Sequence, residues 1–68
     1  MIHSINFIQS SMLSSAAYDD ENKEMTVTFT GGKTYTYEDV PKSIYDELVN
    51  AKSAGKYFNS IKKDLKIK

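Results

Sequence analysis

The chain has no cysteine, no arginine and a single histidine, and it lacks a long run of apolar residues. Without cysteine there is no disulfide, no thiolate nucleophile and no cysteine metal site. A membrane-spanning helix needs about 20 consecutive apolar residues, and nothing in the sequence approaches that length. The first eight residues also lack the basic segment that opens a secretory signal. We therefore expect a cytoplasmic protein without a membrane partner.

The sequence shows no group of residues suited to catalysis. His3 is the one histidine, and the sequence indicates no acid or nucleophile as its partner. A general base must lie within reach of the proton that it takes, so we expect His3 to be inert. The pairs Ser10-Ser11 and Ser14-Ser15 lack the sharp turn of a nucleophile elbow, and we expect their hydroxyls to bond to backbone groups. Asp46 and Glu47 are neighbours on a predicted helix and so do not face each other. We predict that the protein is not an enzyme and holds no metal or cofactor.

The net charge of zero conceals a division of sign along the chain. Residues 1–50 carry eight carboxylates and three lysines, whereas residues 51–68 carry six lysines and one carboxylate. Such halves occur in proteins with two binding faces or with a basic tail for an acidic partner, and they also attract each other within one fold. Surface charges are usually solvated, so the division alone does not identify a partner.

The stretch from residue 24 to residue 37 has the pattern of a β-hairpin. Met25, Val27 and Phe29 alternate with threonines, which predicts a strand with one buried face. Gly31-Gly32 then turns the chain, because glycine adopts a positive φ without steric cost. Residues 33–37 return as a second strand.

The length of the hairpin loop decides where the tyrosines of the second strand point. A two-residue loop at Gly31-Gly32 would place Tyr35 and Tyr37 beside the threonines, as an exposed aromatic and hydroxyl surface. A three-residue loop, with Gly32 in the left-handed bulge position, would place both tyrosines with Phe29 in the core. We favour the three-residue loop, because a chain of 68 residues needs the buried apolar area.

The segments before the hairpin are less regular. Residues 1–12 have no clean period. We expect a loose lead-in over residues 1–9, with at most a short strand near Ile5–Ile8, followed by a single domain over residues 10–68. The polar run Asp19–Lys23 contains acids but lacks the spacing of a calcium loop. Its composition predicts a solvated turn.

Two helices are predicted after the hairpin. Apolar residues recur at helical spacing over Pro41–Ala51, where proline suits the first turn and Asp39 is expected to cap the helix. Ser53 is expected to cap a second helix, whose apolar stripe runs from Tyr57 to Leu65. The order of elements predicts an α+β fold: a small antiparallel β-sheet of two to three strands, followed by two short helices packed on one face.

Several separated segments of the chain form a recognisable series. They are Ser10-Ser11, Tyr18-Asp19, Val27-x-Phe29-x-x-Gly32-x-x-Tyr35-x-Tyr37-x-x-Val40-Pro41, Tyr45 and Ala51-x-Ser53-x-Gly55-x-Tyr57-Phe58-Asn59-Ser60-Ile61. In order and spacing, this series resembles the KTSC domain, over about residues 10–63. The family is named for the C-terminus of some lysyl-tRNA synthetases and also occurs as small stand-alone proteins in bacteria and phages.

The resemblance implies no established activity. RNA binding is suggested for the family through its association with the synthetase, which is an argument from neighbourhood rather than from a site. Family members often carry an arginine and an aromatic residue where this chain has Lys62-Lys63-Asp64-Leu65. Because lysine lacks the flat, bidentate geometry of arginine, base-specific recognition is not expected there.

We therefore expect a binding function without turnover, and two kinds of partner are considered. The first is RNA or tRNA, with tyrosines stacking on bases and lysines contacting phosphates, although the chain is neutral overall and lacks arginine. The second is a protein, as when a phage or mobile-element protein docks on a host protein through an acidic surface or a sheet edge. A homodimer would also stabilise so small a domain. The candidate RNA-binding residues are Tyr35, Tyr37, Tyr57, Lys52, Lys56, Lys62, Lys63 and Lys66.

Overall fold

Strands fill the first half of the chain and helices most of the second. The structure, a computed structural model, describes residues 1–8 and 10–68. The strands are β1 (Ile2–Asn6), β2 (Leu13–Asp19), β3 (Glu24–Phe29), β4 (Thr34–Glu38) and β5 (Lys66–Ile67). The helices are α1 (Lys42–Asn50) and α2 (Ala54–Ile61), and a 3₁₀ turn at Lys62–Asp64 joins α2 to β5. Neither helix is long and apolar enough to cross a membrane.

The described strands form one antiparallel sheet in the order β1-β2-β3-β4-β5. The α+β class and the packing of both helices on one face are confirmed, but the prediction of two to three strands is wrong, since the sheet has five. Residues 2–6, expected to be a loose lead-in, are strand β1 and pair with β2. In β2, Ala16 and Ala17 have weak strand propensity, and the strand is stabilised by pairing on both sides.

The hairpin between β3 and β4 has the three-residue loop. The Phe29 N–H donates to the Lys33 carbonyl at 2.8 Å, and Gly32 has a φ of +95°. Val27 therefore lies opposite Tyr35, and the side chains of both residues point to the face of the sheet that the helices cover. The predicted register is confirmed, although only one of the two tyrosines reaches the core. Tyr37 is 5% exposed, whereas Tyr35, nearer the hairpin loop, is 37% exposed.

The two glycines of this loop are expected to differ sharply in their tolerance of alanine. Gly32→Ala forces an L side chain into a positive φ and should lower the free energy of unfolding by about 1–2 kcal/mol. Gly31→Ala is the matched control, because φ is not positive there and an added Cβ meets nothing within 4 Å. Urea unfolding followed by circular dichroism measures both variants. Equal loss in the two would show that the φ of Gly32 is not the cause.

The core lies between the sheet and the two helices, and each helix covers a different half of the sheet. On α1, the Tyr45 ring stacks on Tyr18 of β2 with centroids 5.5 Å apart. On α2, the Phe58 ring meets Phe29 and Tyr37 edge-on, each at 5.7 Å. The fully or nearly fully buried side chains are Leu13, Ala16, Tyr18, Met25, Val27, Tyr37, Val40, Tyr45, Leu48, Ala54 and Phe58.

The helix starts partly follow the prediction. Ser53 caps α2 as expected, since its hydroxyl accepts the N–H of Lys56 at 3.4 Å. The predicted capping of α1 by Asp39 is wrong, because the N-cap is Pro41 and no side chain bonds to the first turn. Asp39 instead has a φ of 54° and lies in the connection between β4 and α1. The Val40 N–H fixes this connection by donating to the Lys23 carbonyl at 2.8 Å.

The face of the sheet away from the helices is polar and rich in hydroxyls. Thr26 and Thr36 lie opposite each other with their oxygens 3.1 Å apart, and Thr28 and Thr34 lie opposite each other at 3.3 Å. Because the inward-turned positions of β3 and β4 hold the aromatic residues, this outer face offers hydroxyls rather than rings.

Candidate functional site

A groove opens between the β1–β2 connection and the start of α2, with a volume of about 620 Å³. One wall comes from the end of β1 and the segment before β2, and the other from the α1–α2 connection and the first turns of α2. The residues that line it are Asn6, Phe7, Ile8, Ser10, Ser11, Met12, Ala51, Lys52, Ser53, Ala54, Gly55, Lys56 and Asn59.

Two local features fix the walls of this groove. The Ser10 hydroxyl accepts the N–H of Met12 at 3.2 Å and that of Leu13 at 2.9 Å, which folds the segment tightly into the start of β2. On the facing wall, a Cβ added to Gly55 would lie 3.3 Å from the Met12 Cβ and 3.7 Å from the Ser10 hydroxyl. Glycine at this position thus lets α2 approach the opposite wall closely.

The polar side of the groove favours an anion. Lys52 and Lys56 are exposed there, and neither forms an ion pair with any residue that the structure describes. The first N–H groups of α2, at Ala54 and Gly55, have no acceptor within the helix, and the helix dipole places partial positive charge at this end. No carboxylate is among the described lining residues. The half-buried Phe7 and Met12 supply an apolar surface beside these groups.

Carboxylates gather at the other end of the sheet. In the β1–β2 pairing, Asn6 at the groove lies opposite Ser15, whereas Ile2 lies opposite Asp19 at the start of the acidic turn. Five residues of strand separate the two ends by about 14 Å. The Asp19 carboxylate accepts a bond from the Asn22 side-chain amide at 2.8 Å and others from backbone N–H groups of the turn, and these bonds lower its pKa. The run predicted to be a turn is confirmed as one.

The expectation that His3 has no acid partner is wrong. The Asp20 carboxylate lies 3.0 Å from His3 Nε2 and 2.9 Å from the N-terminal amine. Bonds from the amine and from His3 lower the pKa of Asp20. These contacts hold β1 to the end of β2. No cluster of three or more metal-ligating side chains occurs within residues 1–8 and 10–68.

The three predicted tyrosines do not form a stacking surface. Tyr37, on β4, is buried against Phe58, so its ring is not accessible to a base. Tyr35 lies edge-on to Phe29 at 5.6 Å with part of its ring exposed. The Tyr57 hydroxyl donates to the Glu47 carboxylate at 2.6 Å and so links α2 to α1. Burial and this carboxylate raise the pKa of Tyr57 to about 12.

The five predicted lysines are all exposed, but they lie in three separate places. Lys52 and Lys56 share the groove. Lys62 and Lys63 lie on the 3₁₀ turn at the far end of α2, about 12 Å away along an eight-residue helix. Lys66 lies opposite Glu38 on the edge strand β5. The structure therefore brings together only the first pair.

The groove also contains residues that were not predicted as binding residues from the sequence, such as Phe7, Met12 and Asn59. The family resemblance did point to this part of the chain. Two of the segments on which the family resemblance rests, Ser10-Ser11 and the run from Ala51 to Asn59, lie far apart in the sequence and face each other across this groove.

Comparisons with known proteins support the resemblance. The KTSC domain model matches residues 9–64. A protein of Tsukamurella paurometabola is 39% identical over 56 residues, which are 82% of this chain and 84% of that protein. An uncharacterized protein of Stutzerimonas stutzeri is 41% identical over 54 residues, or 79% of this chain and 76% of that protein.

Two further matches connect the chain to a tRNA enzyme and to a solved structure. A lysine–tRNA ligase of Nostoc punctiforme is 33% identical over 51 residues, which are 75% of this chain but 9% of the ligase. The crystal structure of a KTSC domain protein from Yersinia pestis superposes with a TM-score of 0.88 at 26% identity, covering 100% of this chain and 96% of that one. The chain belongs to the KTSC domain family.

Proposed function

We propose that the domain binds single-stranded RNA and holds a backbone phosphate in the groove at the start of α2. The observation that carries this proposal is the set of groups around the groove: two lysines without ion-pair partners among the described residues, the N–H groups of a helix start, and no carboxylate. The presence of a similar domain in a lysine–tRNA ligase supports RNA as the partner. It also fits the cytoplasmic location expected from the sequence. The proposal involves recognition without turnover.

The groove suits a phosphate beside an apolar group. Backbone N–H groups at a helix start and lysine ammonium groups are both common phosphate ligands. The apolar side chains of Phe7 and Met12 lie beside them, and Phe7 is the aromatic residue that could pack on a base. Small-molecule sites have volumes of about 300–1,000 Å³, so a groove of about 620 Å³ suits a nucleotide of an unpaired strand.

This site differs from the one that the sequence predicted. Base stacking on the sheet is not proposed, because the outer face carries hydroxyls and Tyr37 belongs to the core. Of the predicted lysines, Lys52 and Lys56 remain in the proposed site. Contacts from Lys62, Lys63 and Lys66 with RNA stay a prediction from the sequence. The experiment below compares the effect of removing Lys62 and Lys63 with the effect of removing the two groove lysines.

Removing the two groove lysines is expected to weaken RNA binding, and removing two lysines elsewhere is not. The double variant Lys52→Ala/Lys56→Ala should bind a single-stranded RNA about tenfold more weakly at low salt, since two phosphate contacts are lost. Its plot of log affinity against log salt should be shallower by about 1.4, because each contact with a single strand contributes about 0.7. Fluorescence anisotropy of a labelled RNA across a salt series measures both quantities.

The control is Lys62→Ala/Lys63→Ala, which removes the same charge from the far end of α2. If the groove is the site, this variant should bind within about twofold of the unchanged protein, because Lys62 and Lys63 do not line the groove. Equal weakening in the two variants would mean that overall charge drives binding and that the groove is not the site. If neither tRNA nor single-stranded RNA binds at low salt, the RNA proposal fails.

A protein partner is the second candidate. It is favoured by apolar side chains at the sheet edge, where Ile2 is 65% exposed and Ile8 is 94% exposed. A strand edge binds an extended segment of another chain through backbone hydrogen bonds. A host protein docked there is the alternative that a pull-down from the source cell would detect.

A further inference from the structure

The two edges of the sheet differ in how they are protected. Strand β5 is two residues long, contains Lys66 and is followed by Lys68, which pairs with Glu24 at 2.8 Å. Short length and lysine are common means of preventing one sheet edge from pairing with another. Strand β1 has none of these: its five residues, Ile2–Asn6, contain no lysine, no carboxylate and no proline. The β1 edge is therefore open to pairing.

Alternate residues of β1 direct their backbone groups away from the sheet. The Phe7 N–H donates to the Ser14 carbonyl at 2.8 Å, so Phe7 faces β2. In an antiparallel pair of strands, every second residue forms these hydrogen bonds. The backbone groups of Ile5 and His3 therefore also face β2. The N–H and C=O groups of Ile2, Ser4 and Asn6 then point outward, without a partner strand among the residues that the structure describes.

We infer that two copies of this domain pair through β1 in antiparallel fashion, which joins their sheets across a two-fold axis at Ser4. In this register Ser4 lies opposite Ser4 of the second copy, and Ile2 lies opposite Asn6. A two-fold interface requires a surface that complements itself. Strand β1 meets this requirement, because it has no lysine or carboxylate and its outward backbone groups at Ile2, Ser4 and Asn6 are arranged symmetrically about Ser4.

Charge and exposure favour a second copy as the occupant. No like charges meet across the pairing, because β1 contains no lysine or carboxylate and His3 lies opposite Ile5 of the second copy. The pairing also brings the exposed Ile8 of one copy towards the exposed Ile2 of the other. A domain of 68 residues buries only about 60% of its unfolded surface, so the added burial would stabilise it. This inference does not depend on RNA binding.

Single cysteines test the pairing register directly, because the chain has no cysteine of its own. With Ser4→Cys, the two thiols lie on residues directly opposite, whose Cα atoms are about 5.5 Å apart, within the range of a disulfide. With Asn6→Cys, the same strand and face carry the thiol, but the two copies are separated by more than about 13 Å. Mild oxidation followed by non-reducing electrophoresis should show a dimer for Ser4→Cys and little for Asn6→Cys.

Mixing Ile2→Cys with Asn6→Cys should restore crosslinking, since these two positions lie opposite each other in the inferred register. In sedimentation experiments the unchanged protein should dimerise, and Ser4→Lys should weaken the dimer at least about tenfold by placing two lysines face to face. Thr34→Lys, an exposed position on the outer face of β4, is the matched control and should leave dimerisation unchanged. A monomer at all concentrations, or equal crosslinking of Ser4→Cys and Asn6→Cys, would overturn the inference.

Discussion

Replacing Phe58 by alanine is expected to leave a large fraction of the domain unfolded at room temperature. Phe58 is fully buried, and its ring packs edge-on against Phe29 and Tyr37. Truncating a buried phenylalanine to alanine costs about 3–5 kcal/mol, through lost burial and the cavity that remains. At about 0.05–0.15 kcal/mol per residue, a chain of 68 residues has a total stability of about 3–10 kcal/mol. The expected loss is thus comparable to the total free energy of unfolding of the domain.

Urea unfolding followed by circular dichroism measures this effect. Tyr35→Ala is the matched control, because it also truncates an aromatic ring that contacts Phe29 but that is partly exposed. It should cost about 1–2 kcal/mol, less than Phe58→Ala, since part of the ring is already exposed and its truncation leaves no closed cavity. Phe58→Leu, which keeps most of the volume, should retain the fold. An unfolding midpoint for Phe58→Ala equal to that of Tyr35→Ala would contradict the central place of Phe58 in the core.

Raising the pH above 10 is expected to lower the free energy of unfolding steeply. Burial raises the pKa of Tyr18, Tyr37 and Tyr45 above the usual value of 10.0, and burial together with Glu47 raises the pKa of Tyr57 to about 12. Above about pH 10, and for Tyr57 up to about pH 12, these phenols are ionised in the unfolded chain but protonated in the folded one. The unfolded state then binds fewer protons, so stability falls as the pH rises.

Each such tyrosine contributes at most about 1.4 kcal/mol per pH unit, and the partly exposed Tyr57 contributes less because water screens its surroundings. Below pH 10 the contribution is fully present, so stability should not change for this reason. Urea unfolding at a series of pH values gives the slope, and near-ultraviolet absorbance reports the tyrosinates. Those of the buried Tyr18, Tyr37 and Tyr45 should appear together with the loss of circular dichroism.

Tyr57→Phe separates this residue from the buried tyrosines. The variant keeps the ring but loses the bond to Glu47, and the alkaline loss of stability should persist because Tyr18, Tyr37 and Tyr45 remain. If all the phenols ionise near pH 10 while the circular dichroism stays native, the burial argument is wrong.

The hairpin was predictable because its determinants are local. Alternation from Met25 to Phe29 identified the buried face, and the need for apolar area selected the loop that places Tyr37 inside. The neighbouring strands have no such local signal. In β2 the buried Ala16 is followed by a second alanine, and both have weak strand propensity, so the pairing partners on either side decide the conformation.

The groove could be predicted only in part, because it joins segments that are far apart in the sequence. Lys52 and Lys56 were selected for their charge, but the facing wall around Met12 depends on the close approach that Gly55 permits. The role of Tyr57 was missed for a similar reason. Its hydroxyl partner, Glu47, lies on another helix, and only the packing of α1 against α2 brings the two groups together.

The order of the sheet also bears on how fast the domain folds. Strands β1 to β4 pair in the order in which they follow one another, so each of these pairings closes a short stretch of chain. Local pairings cost little loop entropy, and proteins dominated by them fold quickly. The pairing of β4 with β5 is different, because it encloses both helices and involves only two residue pairs. Docking of β5 is therefore expected to be the last step of folding, after the meander and the helices have formed.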